Sequence, residues 1–110
     1  MIKLNCEKTI NKIENKFIKE NIKIFRGSEK NVLSRFYHSA KTYNTQNIIR
    51  ITADCPLIDP KIIEMLILTY FQEKSDYMAV GYEGGFPRGL DAEIFSFETL
   101  ENVFNNAKKE

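Results

Sequence analysis

Short runs of β-branched and aromatic residues alternate with stretches of helical spacing along the whole chain, and few architectures accommodate that order. Between Glu7 and Asn21, Ile10, Ile13, Phe17 and Ile18 recur at helical intervals, which predicts an amphipathic helix. Ile22-Lys23-Ile24-Phe25 alternates and predicts a short strand, ended by Arg26-Gly27-Ser28. Ser28 is suited to cap a second helix reaching about Tyr43, with Val32, Phe36 and Ala40 in one row and Leu33 and Tyr37 in the next. Asn47 to Thr52 is mostly apolar, the pattern of an interior parallel strand buried on both faces.

Asp59-Pro60 then offers an N-cap and a proline at the first position of a third helix. Its two apolar rows, Ile62, Leu66, Tyr70 and Ile63, Ile67, Phe71, form an arc broad enough to require a sheet beneath it. Asp76 to Val80 and Ala92 to Phe95 predict two more strands, separated by Gly81 to Gly89, which holds four of the five glycines. Ser96 is placed to cap a last helix carrying Leu100, Val103, Phe104 and Ala107. The expected fold is an α/β domain, three-layer, with a mostly parallel sheet. Its 110 residues suffice for a single core.

Charge and apolar patterning exclude several functions. Sixteen basic against fifteen acidic residues leave a net charge of +1, so no global field gathers nucleic acid or an anionic membrane. The longest apolar stretch, Met65 to Phe71, is too short to cross a bilayer. The N-terminus shows no signal-peptide pattern, and a cytoplasmic location is expected. Cys6 and Cys55 have no disulfide or zinc spacing and read as free thiols. The lone His38, mid-helix beside Tyr37, reads as a surface residue rather than part of a triad.

Ligands of open α/β sheets bind beyond the carboxyl ends of the strands, and three segments with suitable chemistry fall there. Arg26-Gly27-Ser28-Glu29 opens a helix: glycine permits close backbone approach, helix N–H groups favour anions, and Arg26 can fork onto a phosphate or carboxylate. The same residues also make an ordinary capped turn with a solvated arginine. Asp54, in Thr52-Ala53-Asp54-Cys55-Pro56, suits a magnesium–nucleotide site or, equally, a hydrogen bond within the turn. Asp91 and Glu93 are two apart, so an extended backbone puts both on one face, with Arg88 near in sequence. They can serve a metal or the hydroxyls of a sugar, or simply blunt an exposed edge strand.

Together, Phe25-Arg26-Gly27-Ser28-Glu29 with Val32-Leu33 and Arg35-Phe36-Tyr37, then Arg50 through Pro60, then Phe86-Pro87-Arg88-Gly89-Leu90-Asp91-Ala92-Glu93-Ile94-Phe95-Ser96, resemble one family in order and spacing. They look like the cytidylyltransferases of the spore coat polysaccharide biosynthesis type, relatives of acylneuraminate cytidylyltransferases. The resemblance implies a nucleotide-diphospho-sugar transferase-like fold, here partial, with residues 1–110 as a single domain. It also implies attack of a sugar or sugar-acid oxygen on the α-phosphorus of CTP, with release of pyrophosphate. By the same resemblance Asp54 is the Mg2+ ligand, and Arg26, Ser28 and Arg35 lie near nucleotide and acceptor. Arg88, Asp91 and Glu93 match the acceptor side.

Members of that family begin with a strand and a Gly-rich, basic loop that holds CTP, and no part of Met1 to Lys23 resembles it. The expectation is therefore the middle of an enzyme, lacking full activity alone and suited to a homodimer or a complementing chain. The alternatives are a non-catalytic remnant or interaction module with the same core, and an unrelated small-molecule-binding α/β module.

Overall fold

The computed structural model describes residues 7–52, 58–81, 85 and 90–107, with side chains from residue 11 onward. The elements run α1 (Glu7–Lys19), α2 (Val32–Thr42), β1 (Asn47–Arg50), α3 (Pro60–Glu73), β2 (Tyr77–Val80), β3 (Ala92–Ser96) and α4 (Phe97–Ala107). Local chemistry sets the boundaries. Asp59 caps α3, its Oδ1 accepting from the Lys61 amide at 2.9 Å, with Pro60 at the head of the helix. Ser96 Oγ accepts from the Thr99 amide at 3.1 Å and caps α4. Ser28, expected as the cap of α2, acts one step earlier: its Oγ accepts from the Asn31 amide. Asn31 takes the cap itself, accepting from the Ser34 amide at 3.0 Å, and the helix starts at Val32.

The described sheet has the order β1-β3-β2, and both outer strands pair antiparallel with β3. The expected mostly parallel sheet is therefore corrected to a small antiparallel one. β1 and β2, joined through α3, do run in the same direction, as a β–α–β alternation requires. β3 returns along the chain between them and takes the ladder from both. β1 is consequently an edge strand among the described residues, with alternating burial, and not an interior strand buried on both faces. The strand expected at Ile22–Phe25 also fails to form a described ladder. That segment is tied instead by the Ile22 amide to the Phe17 carbonyl at 2.9 Å and by the Tyr43 hydroxyl to the Ile24 carbonyl at 3.1 Å.

Register assigns the two faces. Ile94 and Ala92 of β3, with Met78 and Val80 of β2, pack on Leu66 and Tyr70 of α3. On the opposite face Phe95 and Ile48 pack against Tyr37 and Ala40 of α2 and Leu100 and Phe104 of α4. There Tyr37 stacks on Phe104 with ring centres 4.1 Å apart and planes within 8°. Helices thus cover both faces of a three-stranded sheet.

Candidate functional site

β1 and β2 end where β3 begins, because Arg50 pairs with Glu93 and Val80 with Ala92. One step beyond the last pair, Asp91 lies against Gly81. A Cβ on Gly81 would sit 2.7 Å from Asp91 Oδ1 and 3.5 Å from its Cγ, so glycine leaves the room that this carboxylate occupies. Asp91 is exposed at the sheet's end and Glu93 is half-buried two residues further on, as the period of a strand dictates. Asp54 and Arg88 lie outside the described residues.

Glu93 is held from both sides across the three strands. Its Oε2 accepts from Arg50 Nη1 at 3.3 Å, and its Oε1 accepts from the Tyr77 hydroxyl at 3.0 Å. Arg50 also lies over the Phe36 ring of α2, 5.6 Å from its centre, so the first turns of α2 meet the sheet at this point. Neither Arg50 nor Tyr77 was singled out from the sequence. The available signal was a lone cation inside an apolar strand, which needs a partner. These groups line one end of a groove of about 330 Å3, whose walls include Val32 and Leu33 of α2 and Leu100 and Val103 of α4. Apolar walls with a few fixed polar groups are the usual make-up of a small-ligand pocket.

Partial burial, followed by the hydrogen bond to Glu93 and that residue's charge, raises the Tyr77 hydroxyl above its ordinary range, while Arg50 opposes the shift. A pKa raised on folding means that the associated stabilisation is present below the ordinary tyrosine range and is lost as pH rises through the raised value. Glu93→Ala is expected to move Tyr77 ionisation back down towards its ordinary value in an ultraviolet pH titration. An unchanged midpoint would show that Glu93 does not act on Tyr77.

The first sequence segment is built around Gly27. A Cβ there would lie 2.9 Å from Arg35 Cγ and 3.0 Å from Phe25 Cε1, so the stem of Arg35 passes directly over the glycine. Arg35 Nη1 donates to the Ser28 carbonyl at 3.4 Å. Gly27→Ala is expected to push Arg35 off Ser28 and cost about 1 kcal/mol, the low end of overpacking, read as a shift of the urea midpoint at constant slope. Arg26 turns the other way. Its Nη2 donates to Asn11 Oδ1 at 2.8 Å and pairs with the Glu14 carboxylate, both on α1. The structure therefore joins Ser28 to Arg35, and Glu93 to Arg50 and Tyr77, but commits Arg26 to α1. His38 is exposed, its ring edge-on to Tyr37 and Phe104, in keeping with a surface role.

No group of three or more His, Cys, Asp or Glu side chains is placed to hold a metal among the described residues. A magnesium ion on a nucleotide needs only one or two protein carboxylates, with phosphate and water completing its shell. Asp91, just before β3, is an exposed carboxylate among the described residues. No described helix is long and apolar enough to cross a membrane.

A family model described as cytidylyltransferase matches residues 6–110. The chain belongs to the cytidylyltransferase family. It is 34% identical over 86 residues to the spore coat polysaccharide biosynthesis protein SpsF of Bacillus subtilis, covering 78% of this chain and 35% of the relative. It is 38% identical over 88 residues to the uncharacterized protein MJ1063 of Methanocaldococcus jannaschii, covering 80% of this chain and again 35% of the relative. The fold is similar to the structure of a cytidylyltransferase from Leptospira borgpetersenii, with a TM-score of 0.80 and 36% identity over 90% of this chain and 42% of that one. This cytidylyltransferase-family chain thus spans about a third of the length of the curated relatives it matches.

Proposed function

We propose that this chain is a nucleotidyl-transfer domain that uses CTP to activate a sugar or sugar acid for surface polysaccharide or glycoconjugate synthesis. The observation that carries the reading is the cytidylyltransferase match across residues 6–110, and the name of the SpsF relative supports the polysaccharide context. In the proposed reaction an acceptor oxygen forms a bond to the α-phosphorus of CTP, the bond to the bridging β-phosphate oxygen breaks, and pyrophosphate leaves with that electron pair. Positioning and charge neutralisation supply most of the rate in such transfers.

In this reading Arg26 and Ser28 in the segment before α2, and Arg35 on the first turn of α2, are the groups that serve phosphate or acceptor oxygens. Arg88, Asp91 and Glu93 serve the acceptor side, where Arg50 and Tyr77 keep the Glu93 carboxylate in one orientation. Asp54 is the carboxylate assigned to Mg2+, which when bound supplies charge neutralisation on the triphosphate. The joint placement of Asp91, Gly81 and Glu93 at one end of the sheet supports this division of labour.

Calorimetric titration of the 110-residue chain with CTP, with and without magnesium, tests the proposal. Binding that requires magnesium is expected. A folded chain that binds neither would assign it instead to the class of interaction modules built on the same core.

A further inference from the structure

Arg26 is the guanidinium that the proposed function places before an anionic ligand, yet one of its terminal nitrogens, Nη2, is already engaged by α1. Asn11 and Glu14, three residues apart and therefore on one face of α1, both engage Arg26 Nη2. A carboxylate on a guanidinium occupies the geometry that a phosphate would use and neutralises the charge that would attract it. α1 is otherwise lightly held: Ile13 and Ile18 on it remain 41% and 57% exposed. By contrast, the turn after it is pinned, with Lys23 over the Tyr43 ring and the Tyr43 hydroxyl on the Ile24 carbonyl. Arg26 thus ties α1 to the segment that leads into α2.

We propose that Glu14 is a built-in competitor, an autoinhibitory clasp through which α1 withholds Arg26 from phosphate-bearing ligands until one displaces it. The inference rests on the reading of Arg26 as an anion ligand. An exposed ion pair is weak and ligand-displaceable, which suits a clasp better than a permanent brace. The bound ligand is defined by its chemistry, a di- or triphosphate whose oxygens replace the Glu14 carboxylate.

The test is a titration of the full chain with inorganic pyrophosphate, followed by amide chemical shifts. Glu14→Gln is expected to tighten binding about two- to five-fold, the range set by an exposed ion pair, while Arg26→Ala weakens it. Glu20→Gln removes the same charge just beyond α1 from a residue with no ion pair among the described residues, and is expected to change affinity little. Tightening in Glu14→Gln alone, together with α1 amide shifts on adding pyrophosphate to the unmodified chain, supports the clasp. Equal tightening in both glutamate variants, or none in Glu14→Gln while Arg26→Ala still weakens binding, overturns the clasp and leaves the anion reading standing. Unchanged binding in Arg26→Ala overturns both.

Discussion

Alanine at Ile94 is expected to lower the unfolding free energy by about 2–5 kcal/mol, the cost of deleting a buried aliphatic side chain that leaves a cavity. Ile94 is 1% exposed and sits on the central strand, opposite Ile49 on one side and Met78 on the other. It packs in the cluster of Leu66, Tyr70 and Ala92, so α3 and both outer strands converge on it. A domain of this size is stable by only about 5–15 kcal/mol, and the loss would be a large share of the total. Urea unfolding measures it as a lower midpoint at unchanged slope. Ile49→Ala provides the comparison, since Ile49 on the edge strand is 36% exposed and its truncation should cost clearly less. Equal losses at the two positions would contradict the assignment of β3 as the strand that organises the core.

The second large effect concerns the proposed metal carboxylate. Asp54→Asn keeps the size of the side chain and its capacity to close a turn, but removes the charge that a hard cation needs. Pyrophosphate release from CTP in the presence of magnesium and a sugar-acid acceptor is expected to fall about a hundredfold or more, the scale on which loss of electrostatic stabilisation at a transferring phosphoryl group is felt. Stability should change little, because an asparagine can still serve the turn. Release that is unchanged would remove Asp54 from the metal site.

Much of this fold was legible in local chemistry. Asp59-Pro60 and Ser96 announce α3 and α4, and both caps form as their residue types require. Period-two spacing assigns Asp91 and Glu93 to one face, and the register sets Glu93 opposite Arg50 and Ala79. Strand order was not legible, because alternation along the chain fixes the direction of β1 relative to β2 but does not reveal a later strand slipping between them. Ile22-Lys23-Ile24-Phe25 shows the reverse failure: its alternation is genuine, but a strand exists only where a partner ladder does, and its described ties are to Phe17 and Tyr43.

The site was legible in part for the same reason. Carboxylates at a strand end and glycine before a helix are local signals, whereas the partners that orient them come from other strands. Arg50 and Tyr77 reach Glu93 only through register, 43 and 16 residues away in the chain. Arg26 shows the converse, a cation whose partner here is the chain's own Glu14.

The central claim is that one end of the sheet, with the turn before α2, forms a magnesium–nucleotide site. Amide chemical-shift mapping of the 110-residue chain with magnesium and CTP tests it most directly. The account predicts the largest shifts at Arg26 to Ser28, Gly81 and Asp91, with little change along Met65, Leu68 and Phe71 on the outer side of α3. Shifts concentrated on that outer side, or none at saturating nucleotide in a folded chain, would contradict it.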